Sequence, residues 1–529
     1  MKSRIFTRYA IALSVVASLA SCGGGGGGGA PAGGGGGTAT GFAALPAASS
    51  VAAMCAAPRS GVDPYTKKAY PDQQGTLLNE QNWLAAWTND LYLWYSEVPY
   101  PEPASYADTA SYFKALKTTN LSPSGAPKDK FHFSYSTPVW EAMAGSGVQV
   151  GYGANWSLLA SSPPRSIVVA YTDPNTPATQ LTPALARGAK VLQVDGVDVA
   201  YGDAAKLNAG LFPAAAGESH TFLVQDLGGG PSRSITMTPA NVTSAPVQNV
   251  GTLAGTAGPG KVGYMLFNDH LAQAESALIA GVTQLKAANV TDLVIDIRYN
   301  GGGYLDIASE LGYMVAGPTQ TKDKTFELLT FNDKHKTVDP LNGGAITPTP
   351  FYTTALGFST ASGTPLPYLG LTRVYVLTGP DTCSASESVM NSLRGAGVEV
   401  IQIGSTTCGK PYGFFAPDNC GTTYFSIQFK GVNALGFGDY SDGFAPANSN
   451  AAATLAANAV FPGCSIADDF THALGDPAEA RLAAALQYRA SGSCPAATGL
   501  GQARQLKSLA ATDGYMNKNL FLTNRILQR

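Results

Sequence analysis

The sequence predicts a multidomain α/β protein with a helical N-terminal region, a β-rich middle region and an α/β core. The chain has 529 residues, which at about 150 residues per domain corresponds to three or four domains. After about residue 251, short apolar strands alternate with amphipathic helices. Such alternation is typical of a sheet of buried, largely parallel strands covered by helices.

The first 21 residues have the features of an export signal. Three basic residues precede a short apolar run over residues 11–20, which is too short to span a bilayer as a folded helix. The run ends in Leu19-Ala20-Ser21-Cys22, which resembles the bacterial lipobox and predicts cleavage before Cys22 and lipidation of its thiol. An ordinary signal peptide that happens to contain a cysteine is the alternative.

The segment after Cys22 predicts a tether rather than a folded part. Residues 22–60 are rich in Gly and Ala, and chains of this composition behave as flexible linkers. In lipoproteins, a residue such as Gly23 after the cysteine favours the outer membrane over the inner one. We therefore expect a body anchored in the cell envelope through its N-terminal lipid, in the periplasm or at the cell surface.

Charge and cysteine content limit the partners. The net charge is −3, and no basic run is longer than Lys67-Lys68, so nucleic acid is not expected as a partner. No cysteine or histidine spacing suits zinc, and we expect neither a metal nor a cofactor. An even number of cysteines besides Cys22 suits disulfides in an exported chain. Proximity favours the pairs Cys408–Cys420 and Cys464–Cys494, whereas Cys55 and Cys383 stay unassigned.

Four regions follow the linker. Residues 61–143 form a predicted helical domain, in which Trp83, Trp87 and Leu91 recur near helical spacing. A second helix is expected over residues 106–117. Residues 144–242 contain short apolar runs bounded by Gly, Pro and Asp, which predict strands, with a short helix expected within residues 176–188. The α/β core is predicted over residues 243–466 and a helical extension over residues 467–529.

Within the core the pattern specifies individual elements. Continuous apolar runs predict four strands, at residues 261–267, 292–298, 373–377 and 399–403. Helical periodicity predicts three helices, at residues 272–288, 305–315 and 384–394.

Ser384 lies where a predicted strand gives way to a helix, in TRVYVLTGPDTCSASESVMNSLRG. The N–H groups at a helix N-terminus are unpaired and carry partial positive charge, so an anion formed beside them is stabilised. Ser384 is therefore a candidate nucleophile, although a serine at this position is more often only a helix cap. The chain has no GxSxG elbow.

A nucleophilic serine needs a base, and a neutral lysine is one known solution. Lys410 follows the next predicted strand among Gly and aromatic residues, with no acidic neighbour. Burial there would lower the lysine pKa. A solvated loop lysine is the alternative.

The glycine run Gly301-Gly302-Gly303 follows Asn300 at the end of another predicted strand. Glycines let backbone N–H groups approach a ligand closely. Together with the N–H groups beside Ser384 they are candidates for an oxyanion hole. A tight turn with no catalytic role is the alternative.

These three segments, in this order, resemble the C-terminal processing (tail-specific) serine peptidases. The matching residues are Asp296 to Gly303, the Ser-Ala-Ser-Glu motif from Ser384 to Glu387, and Gly409-Lys410. The resemblance implies a protease core of the ClpP/crotonase-like type. It also implies that Ser384 is the nucleophile and Lys410 the base, and that Gly302 and Ala385 supply the oxyanion N–H groups.

The family usually carries a PDZ-like domain before the core, and residues 144–242 resemble one. The loop at Tyr152, Gly153 and Ala154 occupies the position of the carboxylate-binding loop, and Gly303 is a further substrate-binding candidate. PDZ-like domains bind a peptide C-terminus by strand addition, so the resemblance implies protein or peptide substrates recognised by their tails.

The sequence departs from the family pattern beside the base. Many members place a Gln four residues after the lysine to orient it, and here Phe414 stands there. Gln428 is the remaining candidate for that role. Two other functions stay open, namely an inactive, PDZ-containing scaffold that binds protein tails, and a hydrolase of small esters.

Overall fold

The structure is a computed structural model that describes residues 41–160 and 162–495. The predicted signal peptide, the lipidation site Cys22 and the glycine tract lie outside these residues, as does the end of the predicted C-terminal extension. In the described part of the chain no helix is long and apolar enough to cross a bilayer.

The N-terminal region is built around the helix Leu77–Leu91. It begins after Thr76, whose hydroxyl accepts the Asn79 N–H (3.3 Å) while the Asn79 side chain accepts the Thr76 N–H (3.0 Å). Trp83 and Trp87 stack on its buried face with ring centroids 5.4 Å apart. The second predicted helix is shorter than expected. The other helices are Ala48–Val51, Thr109–Ala115 and Thr137–Ser146, and the strands are Met54–Cys55, Gln73–Gln74 and Phe133–Ser136.

The linker predicted over residues 22–60 does not extend to residue 60. Residues 41–60 form a short helix and a short strand. Val51 is buried with Trp83 in one cluster, and Cys55 is bonded to Cys420. This run of small residues therefore packs onto the body, held there by the apolar contact of Val51 and the Cys55–Cys420 bond, although its composition is typical of a flexible linker.

The middle region is β-rich as predicted. A sheet runs in the order Arg233–Met237, His220–Gln225, Lys190–Val194, Ser166–Thr172, Ala154–Ala160, with Val197–Asp198 paired to the third strand. Val148–Gly151 pairs separately with Ala240–Thr243. The helix expected within residues 176–188 was wrong: these residues form turns, and the helix is Ala204–Leu211.

The core sheet has six strands, in the order Val247–Thr252, Lys261–Phe267, Val290–Asp296, Arg373–Thr378, Glu399–Gly404, Gly463–Ser465. The first pair is antiparallel and the others are parallel. The helices against it are Ala274–Ala287, Leu305–Thr321, Ala385–Gly395 and Ala480–Ser491. The strands and helices predicted for the core are found within two residues at each end, except that the helix predicted over residues 305–315 continues to Thr321 across a non-helical residue, Gly317.

A smaller four-stranded sheet packs beside the core, in the order Thr349–Pro350, Thr325–Thr330, Phe429–Val432, Tyr412–Gly413. A three-stranded sheet joins the N-terminal region to the core, because Thr422–Phe425 pairs with both Phe133–Ser136 and Asp418–Asn419. A last short pair is Ala445–Pro446 with Val460–Phe461.

The disulfides correct one sequence prediction and confirm another. Cys408 is not bonded to Cys420. Cys420 is bonded to Cys55 and Cys408 to Cys383, whereas the predicted pair Cys464–Cys494 is formed. The last pair ties the end of the helix Ala480–Ser491 to the outermost strand of the core sheet. In the predicted C-terminal extension this helix is the only one within the described residues.

Candidate active site

Three loops meet because they leave neighbouring parallel strands at the same edge of the core sheet. The glycine loop (residues 297–303) follows Val290–Asp296. The Ser384 turn (residues 379–384) follows Arg373–Thr378, and the Lys410 loop (residues 405–415) follows Glu399–Gly404. The carboxyl ends of parallel strands are the usual place for a ligand in such sheets. The order of the strands therefore brings together all three segments that the sequence singled out.

The Ser384 turn is joined to the glycine loop by several hydrogen bonds. The Cys383 N–H and the Ser386 hydroxyl both donate to the Asn300 carbonyl, at 3.0 and 3.1 Å. The Thr382 hydroxyl donates to the Ile297 carbonyl at 2.8 Å. These contacts fix the distance between the two loops.

Ser384 adopts a strained conformation immediately before the helix Ala385–Gly395. Its φ is +62°, a region that costs a non-glycine residue about 1–3 kcal/mol and that often marks a functional site. The residue is fully buried, and its Oγ makes no hydrogen bond with any described residue. Ala385 is the first residue of the helix, so its N–H has no intrahelical acceptor.

Lys410 is also fully buried. Burial lowers the pKa of its ammonium from 10.5 to about 7, against the opposing effect of the Asp129 and Glu387 carboxylates. Near neutral pH a large share of the amine is therefore uncharged and can accept a proton.

Glu387 links the Ser384 turn to the Lys410 loop. Its Oε2 accepts the N–H of Ser384 and the N–H of Lys410, each at 2.8 Å. Its Oε1 accepts the Gly409 N–H at 2.9 Å and the Thr407 hydroxyl. Burial raises the pKa of this carboxyl, and the four hydrogen bonds oppose that shift. One carboxylate therefore binds the backbone of both the candidate nucleophile and the candidate base.

A disulfide makes the same connection covalently. Cys383 and Cys408 are bonded, with Cα atoms 5.2 Å apart. Cys383 directly precedes Ser384, and Cys408 precedes Lys410 by two residues. The Cys408 N–H also donates to the Thr382 carbonyl at 3.0 Å.

Gly302 lies directly against the Ser384 turn. A methyl group at this position would lie 2.9 Å from Ser384 Cβ and 2.9 Å from the Ala385 nitrogen, so a larger residue does not fit. The Gly302 N–H, however, donates to the Asn300 side chain at 2.9 Å. In this conformation the N–H that the sequence assigned to the oxyanion hole is therefore already used within the loop.

Gly303 is the other glycine that could supply a donor. It forms a parallel bridge with His270, made by the Gly302 carbonyl and the Tyr304 N–H. A parallel bridge of this kind leaves the N–H of its central residue outside the pair. The imidazole of His270 also contacts the glycine loop, since its Nδ1 lies 3.0 Å from Asn300 Oδ1. Burial lowers the pKa of His270 to about 3.

Gln428, the candidate for orienting Lys410, is used elsewhere. Its side chain accepts the Phe415 N–H at 3.0 Å and donates to the Phe415 carbonyl at 3.2 Å. Phe414, which stands where the family often has Gln, places its ring centroid 4.4 Å from Lys410 Nζ.

Tyr152, Gly153 and Ala154 lie in the β-rich region and not beside Ser384. The Tyr152 hydroxyl donates to the Gly210 carbonyl at 2.8 Å, so this side chain ties the loop to the helix Ala204–Leu211. Gly153 has a φ of +73°, and a methyl group there would lie 2.3 Å from the Thr176 side chain. Ala154 begins a strand that lies at one end of its sheet.

A second buried charge centre anchors the start of the glycine loop. Arg298 is fully buried and contacts Asp296 (2.9 Å), Glu479 (2.7 Å) and Asp468 (2.7 Å). Burial disfavours the charged guanidinium, but the carboxylates outweigh it and hold the pKa of Arg298 well above its ordinary value. Asp468 also accepts from Arg187 of the β-rich region at 2.7 Å.

Sequence reasoning missed several residues of this site. The role of Glu387 had a detectable signal, because an acidic residue three positions after a serine at a helix start is a capping pattern. Asp129 and Phe131 had none, since they lie about 280 residues before Lys410 in the chain. Their approach to Lys410 depends on the sheet formed by Phe133–Ser136 and Thr422–Phe425.

The site thus combines a strained, buried serine and a buried lysine of lowered pKa at the carboxyl edge of an α/β sheet. Residues 261–413 match the sequence profile of Peptidase family S41. The chain thus carries a peptidase family S41 domain, which confirms the resemblance to the C-terminal processing peptidases.

A crystal structure assigned to the S41 proteases, from Bacteroides fragilis NCTC 9343, has the same fold with a TM-score of 0.57 and 22% identity over 80% of this chain and 98% of that chain. The photosystem II D1 C-terminal processing protease matches with a TM-score of 0.40 and 19% identity over 70% and 90% of the two chains. Mature CPAF complexed with lactacystin matches with a TM-score of 0.36 and 13% identity over 70% and 93%. The comparison with curated proteins found no match.

Proposed function

We propose that this protein is a serine endopeptidase in which Ser384 is the nucleophile and Lys410 the general base. The observation that carries the proposal is the shared carboxylate of Glu387, whose Oε2 accepts the N–H groups of both residues at 2.8 Å. Two further observations support it: the buried Ser384 Oγ makes no hydrogen bond within the described residues, and burial lowers the pKa of Lys410 to about 7.

The chemistry follows from these two side chains. Neutral Lys410 takes the proton of the Ser384 hydroxyl as Oγ attacks the scissile carbonyl carbon. The resulting ammonium then gives that proton to the leaving amine, which breaks the C–N bond and leaves an acyl-enzyme. A water molecule hydrolyses the ester in the second half of the cycle, again with Lys410 as the base.

The tetrahedral intermediate needs donors for its oxyanion. The Ala385 N–H at the start of the helix is one candidate, and the helix dipole adds to its effect. The glycine loop supplies the second, by Gly303 in the conformation described here, or by Gly302 if it releases Asn300. Each such donor is typically worth about 3 kcal/mol.

Substrate recognition through C-terminal tails is part of the proposal. Ala154–Ala160 is the last strand in the order of its sheet, and a peptide can add to such an edge by strand addition. The helix Ala204–Leu211 lies beside this strand, since Trp156 Nε1 donates to the Leu211 carbonyl at 3.3 Å. The loop at Tyr152, Gly153 and Ala154 begins the same strand.

The N-terminal sequence supports a lipid-anchored enzyme of the cell envelope. Cys22 ends the lipobox-like segment, and the glycine tract would hold the body away from the membrane. Incorporation of radioactive fatty acid into the wild type but not into Cys22→Ser would support this assignment. Equal incorporation into both, or into neither, would contradict it.

The test of catalysis uses the full chain with unfolded casein. Wild type, Ser384→Ala and Lys410→Met are compared for peptide-bond cleavage, with circular dichroism to establish that each is folded. Lys430→Ala is the matched control, because the Lys430 side chain forms an exposed ion pair with Asp439. We expect cleavage by the wild type and the control and none by the other two.

Each other result has a definite meaning. Equal cleavage by all four chains would overturn the assignment of Ser384 and Lys410. Binding of a tail peptide without cleavage by the wild type would favour the scaffold function, which the use of the Gly302 N–H by Asn300 also suits. Hydrolysis of nitrophenyl esters without cleavage of protein would favour a small-ester hydrolase.

A further inference from the structure

The amine of Lys410 lies close to two aromatic rings. Its Nζ is 4.4 Å from the ring centroid of Phe414 and 4.8 Å from that of Phe131. Both rings are buried. These distances are well within the range of about 6 Å at which a cation is attracted to an aromatic face.

The two rings come from distant parts of the chain. Phe414 belongs to the Lys410 loop, whereas Phe131 belongs to the N-terminal region. Asp129 fixes Phe131, since one carboxylate oxygen accepts the Phe131 N–H at 2.8 Å and the other accepts the Tyr92 hydroxyl at 2.7 Å. The Tyr92 oxygen in turn accepts the Thr118 N–H at 3.1 Å. The turn that presents Phe131 is thus held by a buried hydrogen-bond chain.

Aromatic rings have two opposite effects on an amine. They exclude water, which disfavours the ammonium. Their faces carry a negative quadrupole, which favours it. A lysine base must be neutral before it takes the serine proton and cationic afterwards. Its environment must therefore exclude water and still stabilise the ammonium. An aliphatic pocket would supply only the first property.

We propose that Phe131 and Phe414 form an aromatic clamp that positions Lys410 and stabilises the ammonium formed when it takes the proton of Ser384. One ring of the clamp is Phe414, at the position where many members of the family have the orienting Gln. The proposal rests on the proposed function, and it makes the N-terminal region a part of the active site.

Four charged residues also act on Lys410 or on its neighbours. Asp129 and Glu387 favour its charged form. Lys130 is also near Phe131, with Nζ 5.7 Å from that ring centroid and 3.3 Å from the Cys408 carbonyl. Asp442 acts on Lys130. The test therefore changes the rings alone and leaves these charges in place.

The test replaces Phe414, in the full chain, by mono-, di- and trifluorinated phenylalanine. Fluorine withdraws electron density from the ring face and barely changes its shape, so packing is retained while the attraction to a cation weakens step by step. Phe131 is treated in the same way. Phe425 is the matched control, because it is fully buried in the same aromatic cluster and stacks on Phe133 at 4.3 Å.

Two readouts are recorded for each protein. The first is the pH profile of kcat and kcat/KM with casein. The second is a titration of the lysine side-chain carbon next to Nζ by NMR, assigned with Lys410→Met, which needs no activity. We expect both the acid limb of kcat/KM and the titration of Lys410 to move to lower pH by about half to one unit in the trifluorinated protein, and kcat to fall with each fluorine.

The outcomes separate the two proposals. Fluorinated Phe425 should leave both readouts unchanged. Titrations of Lys410 that do not move with fluorination at Phe131 or Phe414 would overturn the clamp. A stepwise shift in a chain that cleaves no protein would overturn the proposed function and not the contact between the rings and the amine.

Discussion

Two fully buried cations lie at the same edge of the core sheet, and their surroundings differ sharply. Arg298 contacts three carboxylates, those of Asp296, Glu479 and Asp468. Lys410 has its Nζ within 5 Å of two aromatic ring centroids, while the carboxylate of Glu387 binds its backbone N–H. The strands that precede them are separated in the sheet by one other strand, Arg373–Thr378. Both side chains are fully buried, so burial alone does not distinguish them.

The difference teaches how burial can either fix a charge or make it exchangeable. Carboxylates around Arg298 compensate the loss of water and keep the guanidinium charged at any accessible pH. Aromatic surroundings compensate Lys410 only in part, and its pKa falls to about 7. The first cation can only hold structure, whereas the second can give and take a proton.

The largest expected effect is on activity at Lys410. Lys410→Met retains the apolar volume and removes the base, so kcat should fall by about 10⁴-fold or more. The free energy of unfolding at pH 6 should not fall, because the buried ammonium costs stability there. Steady-state kinetics and urea unfolding measure the two quantities. If the variant retained activity, Lys410 would have no role in catalysis and, like Arg298, only a structural one.

Arg298→Met should behave in the opposite way. It leaves Asp296, Glu479 and Asp468 buried without their shared cation, which typically costs about 3–5 kcal/mol. We expect the midpoint of urea unfolding to drop and activity to disappear only with the fold. Substitution of Arg298 without a change in the midpoint would contradict the structural role assigned to it.

The next largest effect concerns two disulfides that close loops of similar length. Cys383 and Cys408 are separated by 25 residues and Cys464 and Cys494 by 30, so replacing either pair by Ala should cost about 3–4 kcal/mol of stability. Only the first pair flanks Ser384 and Lys410. Under conditions where both variants are folded, its loss should lower kcat about tenfold, and loss of Cys464–Cys494 should leave kcat unchanged. Equal kinetics in the two variants would show that the disulfide at the site only stabilises.

The smallest effect is the dependence on pH. Because the amine must be neutral, kcat/KM should fall about tenfold at one pH unit below the pKa of about 7.

The folded pKa of Lys410 lies below the ordinary value of 10.5, so the unfolded chain binds more protons than the folded chain between these two values. The free energy of unfolding should therefore rise with pH across that window. Lys410→Met should lack this rise, and an identical pH dependence of unfolding in both chains would count against a buried, neutral Lys410.

The sequence was informative where local pattern decides the structure. The strands Lys261–Phe267 and Arg373–Thr378 and the helix Ala385–Gly395 match their predictions closely, because apolar periodicity and turn residues specify them. Ser384, Lys410 and the glycine loop could be found because each follows such a strand. The order of the strands in the sheet brings these three strand ends side by side. The residues alone did not predict that order, and only the resemblance to a family implied that the three segments meet.

The parts that sequence reasoning missed depend on contacts between distant residues. The sequence around Cys383 does not indicate that its disulfide partner is Cys408 and not Cys420. The pairing depends on which loops the sheet brings together. The same holds for Phe131, which reaches Lys410 only after Phe133–Ser136 pairs with the strand Thr422–Phe425. Arg298 and Asp468 are also joined only by folding, across 170 residues.

The bond between Cys55 and Cys420 spans 365 residues and encloses both Ser384 and Lys410 in one covalent ring. A single cut at any peptide bond within that ring would open it without releasing a fragment. If the chain is nicked within this ring, the products should migrate as one species on a gel without reductant and separate only after reduction. Purity judged on non-reducing gels would therefore overlook clipped molecules.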